Sequence, residues 1–285
     1  MDKSLQDLIA LLDLEEVDTN HFRGRSPNEG WQRVYGGQVL GQALVAASRT
    51  VEGDRPAHSL HAYFLRPGDT RVPILYVVDR IRDGTSFTTR RVVAVQHGKA
   101  IFNMAISFQV VEEGLSHQFD MPDVPAPESL EDEVTLRKKF AAKLPAEMRD
   151  AFTRERPIEM RPIDPIDWFE PTRRAPRQSC WMKARDRLPD DPRLHQCVLA
   201  YLSDWVLLDT AMLPHAVSWT ATNMQSASLD HALWFHRSFR ADEWLLFVQD
   251  SPSASGARGF NRGLIYRRDG ALVGSVAQEG LIRLR

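Results

Sequence analysis

The same order of secondary-structure patterns occurs twice along this chain, and this repetition constrains the fold more than any single motif does. The first copy has a helix pattern opened by Gly36-Gly37, and the second has one from about Pro192 to Leu213. Strand patterns of the first copy occupy residues 58–66, 73–81, 87–96 and 100–111. Those of the second copy occupy residues 230–239, 244–250, 259–266 and 271–284. The last hairpins turn at His97-Gly98 and Asp269-Gly270, which aligns the two copies.

A long helix followed by an antiparallel sheet in each copy predicts an α+β protein in which the sheet wraps around a buried helix. Apolar residues occupy every side of the second helix, and such a helix is usually enclosed. We therefore predict two tandem repeats, each with a long central helix wrapped by an antiparallel β-sheet. Residues 1–111 form the N-terminal repeat and residues 178–285 the C-terminal repeat. Between them, residues 112–177 are a proline-rich crossover linker, with one amphipathic helix at 130–152 interrupted around Pro145.

Charge and cysteine content exclude several classes of partner. The 36 basic and 38 acidic side chains give a net charge of -2, so no overall field favours nucleic acid or a membrane surface. Cys180 and Cys197 have no CxxC metal spacing and are too few for a disulfide framework, although a single pair between them stays open. No apolar run reaches the length of a membrane span, and residues 1–16 lack the pattern of a secretory signal. We expect a cytoplasmic protein with no nucleic-acid partner and no membrane span.

Asp204 stands within the apolar second helix, remote from the N-terminal position where an aspartate caps a helix. A carboxylate buried without partners is unfavourable unless it takes up a proton. Asp209 points about 140° away around the helix, so the two acids do not form a paired-carboxylate site. A structural ion pair or hydrogen bond inside the core is one explanation of Asp204, and a functional carboxylate is the other.

The last strand of the second copy contains another polar residue on its core face. In the first copy, the even-numbered residues from Phe102 to Val110 share the face toward the helix and are all apolar. With the hairpin glycines aligned, Gln278 stands where the first copy has Ile106. A buried amide needs partners, so Gln278 and Asp204 are predicted to share a hydrogen bond or a water, a closed structural hydrogen bond being the alternative. The helix at 36–48 has no acid, so we expect one active site per chain.

Five blocks of sequence are specific enough to indicate a family. They are Tyr35-Gly36-Gly37-Gln38, His61-Ala62-Tyr63-Phe64-Leu65-Arg66-Pro67-Gly68-Asp69, Ser203-Asp204, Leu229-Asp230-His231-Ala232-Leu233-Trp234-Phe235-His236 and Ala254-Ser255-Gly256-Ala257-Arg258-Gly259. These blocks closely resemble bacterial acyl-CoA thioesterase II, over nearly the whole chain. The resemblance implies a double hotdog fold and hydrolysis of medium- and long-chain fatty acyl-CoA without a metal or organic cofactor. It also implies a homodimer or higher homo-oligomer.

The same resemblance implies a triad of an aspartate, a hydroxyl residue and a glutamine, which fall on Asp204, Ser228 and Gln278. Many bacterial members have threonine where this chain has Ser228, so the hydroxyl is kept but one methyl that stiffens the rotamer is lost. Asp204 would accept a proton from the attacking water while Ser228 and Gln278 hold that water by hydrogen bonds. Desolvation would make the aspartate more basic.

Two further groups of residues are candidates for contact with the substrate. Backbone N–H groups at Gly36 and Gly37, in the first turn of a helix, could stabilise the oxyanion of the reaction. Alternatively, these glycines only allow close packing of the helix. Arg258 and Arg262 could meet the phosphates of CoA, although surface arginines more often face solvent.

Other catalytic classes lack their motifs. The sequence has no G-x-S-x-G elbow, P-loop or dinucleotide-binding G-x-G-x-x-G. No HExxH zinc spacing accompanies the histidines near strand starts, which are His58, His61, His231 and His236. We predict structural or interface roles for them, and for Cys197 the role of a small buried residue. Two alternative functions stay open: a hotdog enoyl-CoA hydratase or dehydratase, which would leave CoA attached, and a non-catalytic acyl-CoA-binding protein.

Overall fold

The described residues form five α-helices and thirteen β-strands in the computed structural model, which covers residues 1–27, 33–144 and 146–285. The helices are α1 (Lys3–Leu12), α2 (Gly36–Ser48), α3 (Glu133–Phe140), α4 (Ala146–Thr153) and α5 (Pro192–Ser203). The strands are β1 (Glu15–Asp18), β2 (His21–Gly24), β3 (Ala57–Phe64), β4 (Ile74–Asp83), β5 (Phe87–Gln96), β6 (Lys99–Gln109), β7 (Ile158–Pro162), β8 (Arg177–Ala184), β9 (Met224–Ser228), β10 (Asp230–Phe235), β11 (Leu245–Ser255), β12 (Arg258–Arg267) and β13 (Leu272–Leu284).

The strands of both repeats join into one antiparallel sheet. Its order is β1-β2-β4-β5-β6-β3-β10-β13-β12-β11-β8-β7, and β9 pairs with the C-terminal part of β13. The repeats meet where β3 lies beside β10, with Leu60 opposite Leu233. The helices α2 and α5 lie against this sheet, so the predicted α+β fold with antiparallel strands around two long helices is confirmed, and the strands of the two repeats are continuous in one sheet.

The two long helices begin differently. The Asp191 side chain caps α5 by accepting from the N–H of Arg193 at 2.9 Å, and Pro192 fills the first helical position, where no donor is needed. In α2, the N-cap residue Tyr35 makes no side-chain hydrogen bond to the helix. The first N–H groups of α2 are therefore open to acceptors from elsewhere in the protein.

The core faces of the final strands follow the predicted two-residue period. On β6, Phe102, Met104, Ile106 and Phe108 are each 1% exposed or less. On β13, the even-numbered residues Val276, Gln278 and Gly280 are buried while their odd-numbered neighbours are not. The Gln278 amide therefore lies on the core side of the sheet with only 1% exposure.

The second long helix ends earlier than predicted. We predicted a helix over 192–213, but α5 ends at Ser203 and Asp204 is its C-cap residue. Val206 then adopts a left-handed backbone with φ 55°, and the chain continues as a 3₁₀ turn over Leu208–Ala211. A β-branched residue rarely takes this conformation, and no glycine or proline marks the helix end. Asp204 therefore lies at the end of the helix rather than in its interior.

The crossover contributes more structure than a linker with one helix. It contains α3 and α4 in place of the single interrupted helix predicted at 130–152, and Pro145 lies outside the described residues. It also contains β7, which pairs with β8 at the edge of the sheet and was not predicted. The limits 1–111, 112–177 and 178–285 stay predictions.

One described segment, Pro192–His215, is long and apolar enough to cross a membrane by length and composition. In the folded chain, 61% of its most apolar window is buried inside the protein. Leu199 and Leu202 from this segment belong to the main hydrophobic core. We therefore interpret it as the core segment of the C-terminal repeat.

Candidate active site

The two long helices run antiparallel and touch at the glycines of α2. A Cβ added at Gly37 would stand 2.1 Å from the carbonyl oxygen of Tyr201, and one at Gly41 would stand 3.2 Å from that of Cys197. At Gly37 only a residue without Cβ permits this approach. The contact places the N-terminus of α2 beside the C-terminus of α5, and it supports the packing explanation of the glycine pair.

Tyr35 fastens the same two helix ends together. Its hydroxyl donates to the carbonyl oxygen of Tyr201 at 2.8 Å, and its ring packs edge-on against those of Tyr201 and Trp205. Burial and the charge of Asp204 raise the pKa of Tyr35 well above its ordinary value. The phenol therefore stays protonated and keeps donating its hydrogen bond.

Asp204 lies between these helix ends. A Cβ at Gly36 would be 2.6 Å from Asp204 Oδ2, so this oxygen faces the first turn of α2, and the backbone of Gly37 donates a hydrogen bond to the carboxylate. The partial positive charge at the N-terminus of α2 favours an anion at this place, whereas the C-terminus of α5 disfavours it. The position of Asp204 thus depends on a helix from the other repeat.

Ser228 and Gln278 both donate to the other carboxylate oxygen. Ser228 Oγ lies 3.3 Å and Gln278 Nε2 lies 2.5 Å from Asp204 Oδ1. Their strands, β9 and β13, are antiparallel neighbours in the sheet. The three predicted catalytic residues therefore come together, with Oδ1 occupied by two side-chain donors and Oδ2 directed at α2.

Burial raises the pKa of Asp204 to about 6. Hydrogen bonds from Gln278, Ser228 and Gly37 act in the opposite direction and limit the rise. Asp204 and Ser228 keep partial exposure to solvent, whereas Gln278 is buried. Asp204 is thus a carboxylate that can take up a proton near neutral pH and that water can reach.

A buried histidine extends this hydrogen-bonded group. His231 Nδ1 lies 3.1 Å from Gln278 Nε2, and His231 Nε2 lies 2.9 Å from Ser203 Oγ. Burial lowers the pKa of His231 to about 3, so the imidazole is neutral. We predicted a structural or interface role for this residue and did not place it beside Gln278. No sequence signal marked this pair, because the hairpin alignment that puts Gln278 on Ile106 puts His231 on Ser59, one residue before the Leu60 that pairs with Ile106 in the structure.

The other three histidines near strand starts lie outside this group. His58 and His61 pack edge-on against aromatic rings, and a ring nitrogen of His236 lies 2.8 Å from Ser275 Oγ. These contacts involve neither Asp204 nor its hydrogen-bond donors. They are the packing contacts of residues on the sheet.

The two arginines predicted to contact CoA lie on the outer face of the sheet. Each is exposed, and Arg258 and Arg262 form ion pairs with carboxylates at 3.0 and 2.8 Å. Asn261 pairs with Gln278 and is fully buried, so the adjacent Arg262 points to the opposite face. The structure therefore does not bring these arginines beside Asp204, and contact with CoA stays a prediction.

A different arginine approaches the site from the crossover. The guanidinium of Arg156 lies 4.0 Å from the ring centroid of Trp205, the residue that follows Asp204. Burial lowers the pKa of Arg156 to about 10, and its charge is kept at neutral pH. No motif or spacing within residues 112–177 marks this residue, so the sequence alone did not reveal it.

The structure also bears on three other possibilities, which are a metal site, a disulfide and a cysteine nucleophile. In the described part of the chain, no group of three or more His, Cys, Asp or Glu side chains is arranged to hold a metal ion. Cys180 and Cys197 are both free and buried, so the disulfide left open above is not formed. Burial raises the pKa of Cys197 to about 12, which keeps it a thiol and makes it a poor nucleophile.

Comparisons with known proteins agree on one family. Residues 24–109 match the family model described as acyl-CoA thioesterase N-terminal domain, and residues 147–281 match that described as acyl-CoA thioesterase. The chain is 42% identical over 283 residues to acyl-CoA thioesterase 2 of Haemophilus influenzae, covering 99% of both proteins. It is 45% identical over 287 residues to acyl-coenzyme A thioesterase 8 of Mus musculus, covering 97% of this chain and 88% of the mouse protein. The crystal structure of an acyl-CoA thioesterase II from Mycobacterium marinum is similar, with a TM-score of 0.79, 43% identity and 98% coverage of both chains.

Proposed function

The chain belongs to the acyl-CoA thioesterase family and hydrolyses acyl-CoA thioesters, and we propose that Asp204, Ser228 and Gln278 activate the water for this reaction. The observation that carries this assignment is that the two oxygens of the Asp204 carboxylate have different surroundings. Its Oδ1 accepts from the amide and the hydroxyl, which fix its orientation, while Oδ2 is directed at the N-terminus of α2. A base held in this way already has the orientation needed for reaction before substrate binds.

In the proposed step, Asp204 Oδ2 accepts a proton as the water oxygen forms a bond to the thioester carbonyl carbon. The carbonyl electron pair moves onto oxygen and gives a tetrahedral oxyanion. When the carbonyl re-forms, the C–S bond breaks and its electron pair leaves with the sulfur of CoA. That sulfur takes the proton from Asp204, so the products are a free fatty acid and CoA thiol, and the carboxylate is regenerated.

Ser228 and Gln278 have different parts in this step. The Ser228 hydroxyl donates to Asp204, and because it is partly exposed, its lone pairs can accept a hydrogen from the same water. The short bond from Gln278 is a charge-assisted hydrogen bond that holds the buried carboxylate in place.

The N-terminus of α2 is the proposed site of the oxyanion. A developing negative charge is stabilised by backbone donors that are already oriented. Gly36 is the stronger candidate of the two glycines, because Gly37 already donates to Asp204. The absence of a side chain at Gly36 leaves room beside Oδ2 for the reacting carbonyl.

The experiment that tests the function is release of free thiol from acyl-CoA substrates of increasing chain length. We expect turnover with medium- and long-chain fatty acyl-CoA. Hydration of an enoyl-CoA without thiol release, or binding without turnover, would contradict the proposal, because either would leave the thioester bond intact.

The first prediction concerns pH. The pKa of Asp204 is raised to about 6, and the proposed base acts only when it is deprotonated. Activity should therefore fall as pH decreases through about 6, with roughly tenfold less kcat/KM one unit below the apparent pKa. The measurement is a pH–rate profile followed by thioester absorbance. The pKa of His231 is lowered to about 3, so this histidine does not explain such a limb. A flat profile between pH 5 and 7 would be inconsistent with Asp204 as the base.

The second prediction concerns the hydroxyl of Ser228. Its hydrogen bond to a carboxylate is long, so Ser228→Ala should lower kcat by about tenfold. Ser228→Thr keeps the hydroxyl and should retain kcat within about threefold. Ser226→Ala, on the same face of β9, is the matched control and should leave kcat within about twofold. Equal losses in Ser226→Ala and Ser228→Ala would show that the effect comes from the strand rather than the hydroxyl.

Three broader features also belong to this proposal. We expect a homodimer or higher homo-oligomer, because β1 and β7 end the sheet and each has one edge without a strand partner; sedimentation would measure the assembly. Cytoplasmic localisation agrees with the two free cysteines. Contact of Arg258 and Arg262 with CoA phosphates would require the nucleotide to reach the outer face of the sheet, and replacement of both by alanine should then raise KM.

A further inference from the structure

The amide of Gln278 can face Asp204 in two ways, and only one of them is productive. With Nε2 toward Asp204 Oδ1, the amide donates across 2.5 Å. With the amide rotated by half a turn, its oxygen would lie beside a carboxylate oxygen, and the two would repel each other. When Asp204 carries a proton, this repulsion is absent. Another group must then hold the amide in the productive orientation.

His231 makes this selection possible through its own hydrogen bonds. Ser203 Oγ donates to the carbonyl oxygen of Ala200 at 3.0 Å, so it is left to accept the hydrogen of His231 Nε2 at 2.9 Å. His231 Nδ1 is then unprotonated and accepts from Gln278 Nε2 at 3.1 Å. The imidazole is neutral and has one hydrogen, so this arrangement satisfies both of its nitrogens.

The same arrangement uses both hydrogens of the Gln278 amide. One is donated to His231 and the other to Asp204. Within the described part of the chain, no protein group donates to Gln278 Oε1. Gln278 Nε2 thus has two acceptors, His231 and Asp204. Two hydrogen bonds from the same nitrogen hold the amide against rotation.

Comparison of the two repeats points to the same pair of residues. In the first repeat, Leu60 pairs with Ile106 on the buried face, and both are apolar. Continuing the pairing of β10 with β13 by one residue beyond Ala232 and Ala277 places His231 opposite Gln278. The polar pair occurs only in the repeat that carries Asp204, and a leucine at the corresponding position packs well in the other.

We propose that His231, held by Ser203, is a positioning residue that fixes the Gln278 amide with its nitrogen toward Asp204. This inference rests on the proposed role of Gln278 in the site. His231 does not touch the reacting atoms, and it acts only through the glutamine. Its substitution should therefore affect turnover more than substrate binding.

The test is a double-mutant cycle of His231→Leu and Gln278→Ala, with kcat and KM measured by thiol release. We expect Gln278→Ala to lower kcat by about 30-fold and His231→Leu by about tenfold, with KM within about twofold of the native value. In the Gln278→Ala background, His231→Leu should lower kcat by less than about twofold, because the group it positions is already absent. His231→Asn keeps an acceptor near Nδ1 and should recover most of the lost kcat.

The outcomes separate this inference from the proposed function. A native kcat in Gln278→Ala would contradict the role of Gln278 itself, and the positioning role with it. A low kcat in Gln278→Ala, together with a native kcat in His231→Leu or an equal loss in both backgrounds, would overturn the positioning role alone. If His231→Leu does not fold, Ser203→Ala takes its place in the cycle, since it removes the acceptor that fixes the imidazole tautomer.

A matched control comes from another buried histidine. His195 Nδ1 accepts from the backbone N–H of Ala241 at 3.0 Å, in a contact that includes none of the site residues. His195→Leu should lower the melting temperature and leave kcat unchanged. A loss of kcat in this variant equal to that in His231→Leu would show that any buried histidine has the same effect, which would contradict the inference.

Discussion

Replacement of Asp204 by asparagine is expected to lower kcat for thiol release by about 1,000-fold or more. Asparagine has nearly the same shape and its oxygen can still accept from Gln278 and Ser228, but it cannot accept a proton from water. The measurement is thiol release under single-turnover conditions, which reports the chemical step rather than product release. Release at the native rate would exclude the proposed base, even though the protein would remain a thioesterase.

Asp209 provides the matched control for this experiment. Burial and the charge of Glu133 raise its pKa to about 7, so it resembles Asp204 in its titration. It lies on the 3₁₀ turn after α5, away from the donors that meet at Asp204. Asp209→Asn should leave kcat within about threefold, and a large loss would show that a raised pKa in this segment is enough to affect activity.

Loss of activity in Asp204→Asn should not result from unfolding. The folded-state pKa of Asp204 lies above the ordinary value of 3.8, so the stability it contributes is fully present below 3.8 and is lost as pH rises through about 6. At neutral pH the ionised carboxylate therefore destabilises the fold by about 3 kcal/mol, and asparagine removes this ionisation. We expect the melting temperature of the variant at pH 7 to equal or exceed that of the native protein.

A methyl group at Gly36 should lower kcat by about 100-fold or more. The Cβ of Gly36→Ala would lie 2.6 Å from Asp204 Oδ2 and 3.0 Å from the ring of Phe64. Both are ends of side chains that can move, so the fold tolerates the change while the carboxylate is displaced from its position. The measurement is kcat by thiol release together with the melting temperature.

Gly41→Ala separates this effect from simple packing. Gly41 lies on the same helix, and its Cβ would meet Leu12 at 2.9 Å and the carbonyl oxygen of Cys197 at 3.2 Å. This variant should lose stability and retain kcat within about twofold. If kcat falls equally in both variants, Gly36 acts through helix packing and not through the space beside Oδ2.

Much of the fold was predictable because the two-residue period and the turn signals are strong. Strand β5 has the predicted limits of 87–96, and the other strands of the helix-and-four-strand pattern differ from prediction mainly at their ends. The turns His97-Gly98 and Asp269-Gly270 contain positive φ angles, as expected for tight hairpins. The aligned hairpins then placed Gln278 on the core face without any knowledge of the fold.

Other elements have no comparable signal. The end of α5 at Ser203 is followed by apolar residues that continue the helical pattern, so periodicity could not locate it. Strand β9 has the short polar sequence Met224–Ser228, which lacks the alternation of a half-buried strand, although it carries Ser228. The directions of the two oxygens of Asp204 depend on the contact of α2 with α5, which is a tertiary property.

The contact at Gly37 brings together groups of the candidate site that come from different repeats. The C-terminal repeat contains Asp204, Ser228 and Gln278, whereas the helix end that faces the Asp204 carboxylate belongs to α2 of the N-terminal repeat, a helix with no acidic residue. Under the proposed mechanism, neither repeat would be active alone, because the base and the helix end that faces it lie on opposite sides of the contact between the repeats.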